Sequence, residues 1–341
     1  MASAQNIEVL TTVPFPEAVM GQLRELSPRI KITCIPASKI DEIPREVWQR
    51  SEVLYTDILL PDLNLSPNLR WIQFHYAGID FLQGSELLKH KDLKLTSMSG
   101  ASAIQEGEYI LMMLLALGHH MRGLMKNQEK AEWPDDRWEK FSPRELNGST
   151  VGLVGYGSIG REVARLLRPF DVTVLAVKRD VMHPQDNGYV MDGHGDPEGD
   201  YFNRLYPIEA LKSMLRECDF VVVTLPLTPQ TRGMIGEEEF NAMKPGAYLV
   251  HISRGGIVDE EALLRALNEK RLAGAAVDVF STEPLPADHP LWKAPRLIIT
   301  PHVSGFSQAY KERAGRMFAA NLKRYLRGEP LLNEYLSDRH Y

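Results

Sequence analysis

The sequence predicts an α/β protein of two domains, each built around a doubly wound parallel sheet. The chain has 341 residues, more than one hydrophobic core usually holds. Two successive series of short apolar runs alternate with amphipathic stretches, a pattern typical of parallel strands joined by helices. Near the start of the second series, a glycine-rich turn links a strand directly to a helix.

The first series occupies about the first hundred residues and predicts five strands. Two amphipathic stretches between the strands predict helices, so we expect a parallel sheet covered on both faces. The strands are predicted at residues 7–13, 31–36, 52–56, 69–74 and 93–97, and the helices at residues 17–26 and 81–90.

A long helix is predicted from about residue 101 to 125, with apolar residues too dense for a surface helix. Six further strands follow it, and a final helix at about 308–326 is expected to pack back on the first domain. The domains are therefore predicted as residues 1–110 with 305–341, and residues 111–304. Residues 181–205, rich in Gly, Asp, Pro and His, predict an irregular loop. The six strands are predicted at residues 151–154, 172–177, 220–224, 248–252, 273–277 and 297–300.

Composition indicates an ordinary globular protein. Apolar residues make up 44% of the chain and charged residues 25%. A net charge of -6 gives no reason to expect nucleic acid or an anionic membrane as a partner. No apolar run approaches the ~20 residues of a membrane span, and the first ten residues lack a signal-peptide pattern. Cys34 and Cys218 offer neither a disulfide framework nor a metal pair, so we expect a cytoplasmic protein without a metal.

The glycine-rich turn carries a G-x-G-x-x-G pattern at Gly155, Gly157 and Gly160. The first glycine would allow the tight turn, the second the close approach of a pyrophosphate, and the third close packing of helix on strand. Ser158 and Ile159 complete the turn, where free backbone N–H groups favour a diphosphate. The sequence therefore predicts a dinucleotide site.

The residues after the next strand bear on which dinucleotide binds. An acidic residue about 20 positions beyond the turn would bind the adenosine ribose. This chain has Lys178 and Arg179 there, followed by Asp180. The two cations suit a 2′-phosphate, whereas Asp180 is compatible with NAD. We therefore expect an NAD(P)-binding protein that favours NADP(H).

Polar residues also follow three later strands, where an open α/β sheet binds ligands. Arg254 follows one strand, Asp278 and Glu283 the next, and His302 the last. Reduction of a 2-keto acid needs a proton donor, which a histidine can be, and a neighbouring carboxylate would orient that histidine. The planar fork of an arginine can bind the substrate carboxylate. Asp278 is expected to accept a hydrogen bond from the nicotinamide carboxamide.

With these motifs in this order, the chain resembles the D-isomer-specific 2-hydroxyacid dehydrogenase family. The likeness covers nearly the whole chain and is densest from Leu146 to Phe306. The matching stretches are residues 151–160, 224–231, 243–246, 252–256, 277–280 with Glu283 and Pro284, and 300–302.

The resemblance implies two Rossmann-like domains with a cleft between them, and a site assembled from both. Arg254, Glu283 and His302 would be the catalytic set, and the loop of Tyr76, Ala77 and Gly78 would hold the substrate carboxylate. Glyoxylate or hydroxypyruvate reduction is the favoured activity. A homodimer is also implied, with the apolar helix near 110–117 followed by Trp133 and Trp138 as its interface. The remaining residues expected to line the cofactor are Leu225, Pro226, Thr231, Ile252, Ser253 and Asp278.

Some features depart from the family pattern. Lys178 stands where NAD-preferring members usually carry an acid, and the connection at about 182–205 is unusually long. His75 and Tyr76 are bulky residues beside the substrate loop. Two alternatives stay open: a cofactor-sensing regulatory protein resembling the family's corepressors, and a phosphite or formate dehydrogenase. Formate dehydrogenases carry glutamine in place of Glu283, whereas phosphite dehydrogenase retains the Glu–His pair.

Overall fold

The computed structural model describes residues 6–336 and divides the chain into two compact units. Unit 1 comprises Met1–Ser102, Asn187–Tyr189 and Ser307–Tyr341, and unit 2 comprises Ala103–Asp186 and Val190–Phe306. The division differs from the predicted one in its boundaries and in the three residues at 187–189. Those residues group with unit 1 because Tyr189 packs against its hydrophobic core.

Unit 1 is a five-stranded parallel sheet in the order β2-β1-β3-β4-β5. All five predicted strands are confirmed near their expected positions. The apolar side chains of β3 and β4 are fully buried, as strands covered on both faces require. The strands are β1 (Ile7–Thr11), β2 (Ile30–Cys34), β3 (Val53–Thr56), β4 (Trp71–Phe74) and β5 (Lys94–Thr96), and the helices are α1 (Glu17–Glu25), α2 (Arg45–Arg50) and α10 (Tyr310–Arg327).

The final helix packs on unit 1, as the sequence predicted. Met317, Phe318 and Leu322 of α10 lie in one core cluster with residues of β1, β3 and α1. The helix predicted at 81–90 is wrong, however. This segment forms two short 3₁₀ turns, Asp80–Leu82 and Glu86–Lys89, because Gly84 between them has a φ of +80°.

Unit 2 is a seven-stranded parallel sheet in the order β12-β11-β10-β9-β6-β7-β8. Its six predicted strands are confirmed. The strands are β6 (Thr150–Val154), β7 (Thr173–Val177), β8 (Arg204–Tyr206), β9 (Phe220–Val223), β10 (Ala247–His251), β11 (Leu272–Val277) and β12 (Leu297–Ile299). The helices are α3 (Ala103–Gly118), α4 (Met121–Glu129), α5 (Arg137–Lys140), α6 (Ser158–Leu167), α7 (Leu211–Leu215), α8 (Glu237–Ala242) and α9 (Glu260–Asn268).

The seventh strand lies at the end of the segment that was predicted to be wholly irregular. β8 pairs in parallel with β7 at the edge of the sheet. With only three residues, one of them an arginine, it carries no apolar run that the sequence could reveal. The strand order reverses between β6 and β9, and at such a switch point the loops diverge and leave a crevice for a ligand.

The long predicted helix is two helices. α3 ends at Gly118 and α4 begins at Met121, with His120 between them in the left-handed region at a φ of +54°. Ile110, Leu114 and Leu117 of α3 are buried in the core of unit 2. Among residues 6–336, none of the helices combines the length and apolar character needed to cross a membrane.

The long connection before β8 is fastened to α6 by buried charges. Glu162 accepts hydrogen bonds from Arg165, from the His194 ring and, at 2.6 Å, from the N–H of Gly195. The Arg161 guanidinium donates to backbone carbonyls of Asp196 and Pro184. This connection is ordered by polar contacts and not by an apolar core, so its sequence has no periodic apolar pattern.

Candidate active site

The glycine-rich turn joins β6 to α6 at the carboxyl edge of the unit 2 sheet. Gly155 has a φ of +111°, and a Cβ at Gly160 would lie 2.3 Å from the carbonyl oxygen of Gly155, so both positions require glycine. A Cβ at Gly157 would meet no atom within 4 Å. Gly157 also precedes α6 without a side-chain cap. The open space at this helix N-terminus suits a diphosphate, so the turn fits a dinucleotide.

The loop after β9 lies beside this turn. The hydroxyl of Thr224 donates to the carbonyl oxygen of Gly155 at 3.0 Å. Thr231 is buried, donates to the carbonyl oxygen of Pro226 at 2.6 Å and accepts from the N–H of Thr228 at 2.8 Å. The Thr231 side chain therefore shapes the loop that carries Pro226. Leu225 and Ile159 lie partly buried against the two core clusters of unit 2.

The residues after β7 form a compact polar turn. The Lys178 ammonium donates to the carbonyl oxygens of His183 and Gln185. Asp180 accepts from the N–H of Met182 at 3.1 Å and from the His183 ring at 2.8 Å. This hydrogen bond from His183 is the main cause that lowers the pKa of Asp180. The acid is thus engaged within its own turn, while the Arg179 side chain is exposed.

His302 and Glu283 form a hydrogen-bonded pair. Nδ1 of His302 lies 2.7 Å from one carboxylate oxygen of Glu283, and the other oxygen accepts from the N–H of Phe280 at 2.9 Å. Both side chains remain partly exposed, at 43% and 35%. Within residues 6–336, Nε2 of His302 has no hydrogen-bond partner. An imidazole held through Nδ1 with Nε2 open can exchange a proton with a bound molecule.

The loop that carries Arg254 packs closely against the loop that carries Glu283. A Cβ at Gly255 would lie 1.9 Å from the carbonyl oxygen of Phe280, so only glycine permits this approach. Arg254 donates to the carbonyl oxygen of Ser253 at 2.8 Å, and Ser253 donates to that of Val223 at 2.7 Å. These contacts place a guanidinium, a carboxylate and an imidazole on adjacent loops of one unit.

Two residues expected to line the cofactor are enclosed by protein. Ile252 is buried in a core cluster of unit 2, so its backbone is the part that a ligand could reach. Asp278 is 0% exposed, and its carboxylate accepts hydrogen bonds from Thr300, Val303 and Ser304. Three of the roughly four acceptor positions of this carboxylate are thus used, and its contact with a carboxamide stays a prediction.

In unit 1, the loop after β4 presents backbone donors. The carbonyl of His75 accepts from the hydroxyl of Tyr310 at 2.5 Å, and that of Tyr76 accepts from the N–H of Met98 at 3.0 Å. In a trans peptide the N–H points opposite to the carbonyl, so the N–H groups of Tyr76 and Ala77 point away from Tyr310 and Met98. The N–H groups of Tyr76, Ala77 and Gly78 find no acceptor in the described part of the chain. Such a row of unpaired donors suits an anion.

An aromatic cluster supports this loop from below. Nδ1 of His75 lies 2.5 Å from the Tyr55 hydroxyl, and the rings of Tyr76 and Tyr310 each pack edge-on against His75 at 5.1 Å. Burial lowers the pKa of His75 to about 4 and raises that of Tyr55. His75 is therefore neutral near neutral pH, and the exposed Tyr76 ring rests on a rigid base.

Several polar residues near these loops were not singled out by the sequence. His251 is fully buried at the end of β10, and its Nδ1 has no hydrogen-bond partner. Burial lowers its pKa to about 4. Tyr109 reaches Thr300 from α3. The partner of Tyr109 lies 191 residues away in the chain, and the burial of His251 arises only on folding, so no local pattern marks either residue. In residues 6–336, no group of three or more His, Cys, Asp or Glu side chains could hold a metal ion.

Comparison with known proteins identifies what the chain is similar to. The family model for the NAD binding domain of D-isomer specific 2-hydroxyacid dehydrogenases matches residues 111–304. A glyoxylate reductase of Thermofilum pendens is 31% identical over 309 residues, which cover 90% of this chain and 81% of that protein. A hydroxypyruvate reductase of Blautia hydrogenotrophica is 26% identical over 315 residues, 92% of this chain and 88% of that protein.

The fold has a similarly extensive match among solved structures. A D-isomer specific 2-hydroxyacid dehydrogenase family protein from Aeromonas salmonicida superposes with a TM-score of 0.76 at 28% identity. The match covers 98% of this chain and 99% of that one. The likeness therefore extends over both units.

Proposed function

Because the chain belongs to the D-isomer specific 2-hydroxyacid dehydrogenase family, and is thus an NAD(P)-dependent oxidoreductase of 2-hydroxy acids, we propose that it reduces glyoxylate or hydroxypyruvate. The proposal draws its substrates from the relatives that carry these names. The proposed chemistry depends on the hydrogen-bonded pair of His302 and Glu283. Nδ1 of His302 lies 2.7 Å from the carboxylate of Glu283, and Nε2 has no hydrogen-bond partner among residues 6–336.

Each residue of the set has a role that its contacts support. The nicotinamide, when bound, supplies the hydride. His302 donates the proton to the carbonyl oxygen through Nε2, and Glu283 fixes the ring and stabilises the imidazolium. Arg254 binds the substrate through its guanidinium, because a planar fork matches a carboxylate. The unpaired N–H groups of the loop at Tyr76–Gly78 bind the substrate carboxylate.

The reaction is tested with a panel of 2-keto acids and monitored by absorbance of the reduced nicotinamide. Glyoxylate and hydroxypyruvate should give the highest kcat/KM, and His302→Ala should lower kcat by about 10²–10⁴-fold with cofactor binding kept. A parent protein that binds cofactor tightly but turns over no 2-keto acid would favour a cofactor-sensing regulatory protein. Oxidation of phosphite or formate in the same assay would favour those dehydrogenases instead.

NADP(H) is the proposed preferred cofactor, with Lys178 and Arg179 as readers of the 2′-phosphate. The support is that two cations follow β7, while the nearest acid, Asp180, is engaged with His183 and Met182. Lys178 donates to the carbonyl oxygens of His183 and Gln185, and it would exchange one of these acceptors for the phosphate. A charge-assisted hydrogen bond contributes roughly 1.5–3 kcal/mol, so one good contact gives about a tenfold preference.

Cofactor choice is tested by the ratio of kcat/KM for NADPH to that for NADH. The double variant Lys178→Ala with Arg179→Ala should lower this ratio about tenfold or more, whereas Arg216→Ala, an exposed cation on another helix end, should leave it unchanged. A parent that favours NADH, or a double variant with the parent's ratio, contradicts the assignment.

A homodimer is also part of the proposal, through Trp133 and Trp138 of the predicted surface and without the side chains of the preceding helix that are buried. The apolar side chains at Ile110, Leu114 and Leu117 belong to the core of unit 2 and are not available. Trp133 and Trp138 are 84% and 77% exposed. Two such exposed indoles are typical of an interface with a second copy. Light scattering should give twice the chain mass at micromolar concentration, and Trp133→Glu with Trp138→Glu should shift it to the monomer.

A cytoplasmic location remains a proposal as well. Cys34 is an exposed free thiol and Cys218 a buried one, which fits a reducing compartment. Fractionation of the source cells tests this location, and recovery of the enzyme outside the cytosolic fraction would contradict it.

A further inference from the structure

The long connection before β8 contacts the glycine-rich turn through a buried tyrosine. Tyr156 lies between Gly155 and Gly157, and it is 3% exposed. Its hydroxyl donates at 2.6 Å to Oδ2 of Asp196, 40 residues away in the chain. Burial, together with this hydrogen bond, raises the pKa of Tyr156, so the hydroxyl keeps its proton and remains the donor. Residues 194–202 of the connection, which we call the Asp196 segment, are therefore joined to the turn at the residue between its first two glycines.

Asp196 is the centre of a buried set of hydrogen bonds. Its Oδ1 accepts from the N–H groups of Gly199 at 3.1 Å and Asp200 at 2.9 Å. Its Oδ2 accepts from the N–H of Tyr201 at 3.0 Å as well as from the Tyr156 hydroxyl. Three consecutive backbone donors thus fold a local turn around the carboxylate. The last of its roughly four acceptor positions is taken by the tyrosine.

The first turn of α6 binds the same segment. The Arg161 guanidinium lies over the Tyr156 ring at 4.8 Å and donates to the carbonyl oxygen of Asp196 at 2.5 Å. The neighbouring Glu162 accepts from the N–H of Gly195 at 2.6 Å. Because Arg161 and Glu162 are both buried, these contacts are shielded from solvent and stronger than surface pairs.

These contacts lie on both sides of the residues expected to bind the diphosphate. Those residues run from Gly157 to Gly160, and a Cβ at Gly157 would meet no atom within 4 Å. A glycine without packing contacts has few restraints on its backbone, and a ligand that fixes it must offset the lost entropy. The Asp196 segment binds Tyr156, one residue before this stretch, and Arg161, one residue after it. The stretch between these two fixed residues therefore has fewer conformations to lose on binding.

We propose that the Asp196 segment is part of the dinucleotide site, and that Tyr156 is the positioning residue through which it holds the glycine-rich turn in the conformation that binds the diphosphate. This inference rests on the glycine-rich turn as the dinucleotide site, and it does not depend on which 2-keto acid is the substrate. It assigns to the Tyr156 hydroxyl an effect on cofactor affinity and none on the chemical step.

The principal test is Tyr156→Phe in the full chain, which removes the hydroxyl and keeps the ring under Arg161. We expect the Kd of NADPH, from fluorescence titration, to rise about 3–10-fold, as for the loss of one hydrogen bond. The kcat at saturating cofactor should stay within about twofold of the parent's. A variant with the parent's Kd overturns the inference. A parent that binds no dinucleotide instead refutes the turn as the cofactor site.

Fragments of the cofactor show which part of the ligand loses affinity. The 2′-phosphate of ADP-ribose contains the diphosphate, whereas 2′-AMP lacks it, and both are titrated as competitors of NADPH. Tyr156→Phe should weaken the first fragment by the same factor as NADPH and leave the second within about twofold of the parent's value. Equal weakening of both fragments would show a general loss of the folded site and would overturn the inference.

Tyr206→Phe is the matched control. The Tyr206 hydroxyl donates to Glu217 at 2.6 Å, the Arg204 guanidinium lies over its ring at 4.7 Å, and the residue is 4% exposed. Its surroundings thus match those of Tyr156 in hydrogen bond, ring contact and burial. Both variants should lower the Tm by similar amounts, and only Tyr156→Phe should raise the Kd of NADPH. A Kd raised equally in both variants contradicts the inference.

Linkage provides a measurement without turnover. If the Asp196 segment favours the conformation of the turn that binds NADPH, bound NADPH must in return stabilise the segment. Hydrogen exchange at the backbone amides of residues 199–201, which donate to Asp196, should slow when NADPH is added to the parent. The same amides should slow much less in Tyr156→Phe at saturating NADPH. Equal slowing in both proteins would mean that the coupling does not pass through the tyrosine hydroxyl, and would overturn the assignment.

Discussion

Replacing Glu283 with glutamine separates the charge of this side chain from its shape. One carboxylate oxygen accepts from the N–H of Phe280 at 2.9 Å, and the other lies 2.7 Å from Nδ1 of His302. An amide has only one acceptor oxygen, so it cannot serve both partners in the same way. If its NH₂ faced Phe280, two donors would oppose each other at a cost of about 1–3 kcal/mol. The oxygen therefore stays on Phe280 and the NH₂ meets His302.

That orientation changes the histidine without displacing it. Nδ1 must accept from the amide, so the hydrogen of the neutral ring sits on Nε2, and no negative charge stabilises the imidazolium. The variant should lose the contribution of a general acid, about 10²–10⁴-fold in kcat/KM. Oxidation and reduction share one transition state, so kcat/KM should fall by the same factor in both directions of the reaction. Steady-state rates in the two directions, with the Kd of NADPH as a check on binding, measure this.

The chain offers a matched control beside the same loop, at the start of α9. Glu260 accepts from the N–H of Ser281 at 2.6 Å and lies 3.5 Å from Nε2 of His289, so it also joins a histidine to this loop. Glu260→Gln should keep kcat/KM within about twofold of the parent's. If Glu283→Gln retained full activity, or if both variants lost activity equally, the pair of His302 and Glu283 would have only a structural role.

Three further predictions test other parts of the structure. Arg254→Lys keeps the charge but loses the fork, so KM should rise and kcat fall together by about tenfold or more in steady-state assays; parent kinetics would contradict this. Gly160→Ala places a Cβ 2.3 Å from the carbonyl oxygen of Gly155, an overpacking that costs about 1–3 kcal/mol. The variant should therefore bind NADPH more weakly or have a lower Tm, and a variant in which both quantities equal the parent's would contradict this. Burial lowers the pKa of His75 from 6.5 to about 4. Between these two pH values the unfolded chain binds a proton at this residue and the folded chain does not, so the free energy of unfolding falls as the pH falls from 6.5 to 4. Between about pH 7.5 and 5 the free energy of unfolding of the parent should fall by about 2 kcal/mol more than that of His75→Gln in urea titrations, and equal falls would refute the burial argument.

The sequence predicted those parts of the molecule that local pattern determines. Strands such as β9, whose four residues are all apolar and buried, are visible in the sequence as apolar runs. The glycines at 155 and 160 are required by contacts within the turn itself, so their spacing carries the same information as the structure. The order of the motifs then led to Arg254, Glu283 and His302.

The parts that were missed depend on distant partners. β8 forms because it pairs with β7, and its three residues have no pattern of their own. The break at His120 reflects a left-handed backbone that no helix-breaking residue marks. Glu162 and Asp278 carry ordinary charged side chains in the sequence, and only folding surrounds them with donors from segments 32 to 33 and 22 to 26 residues away. Burial of a charge is a tertiary property, so a sequence pattern cannot report it.

The register of the unit 2 sheet explains why the candidate site assembles at one edge. Val223, His251, Val277 and Ile299 form one row across β9, β10, β11 and β12. Asp278 and Thr300 each come one residue beyond this row, and they are hydrogen-bonded to each other at 2.6 Å. Arg254 and His302 each come three residues beyond it. A slip of β12 by one residue would move Thr300 off Asp278 and turn His302 to the opposite face. Since β12 has only three residues, the hydrogen bonds of Asp278 fix the register of this strand as much as the ladder does, and the position of His302 follows from that register.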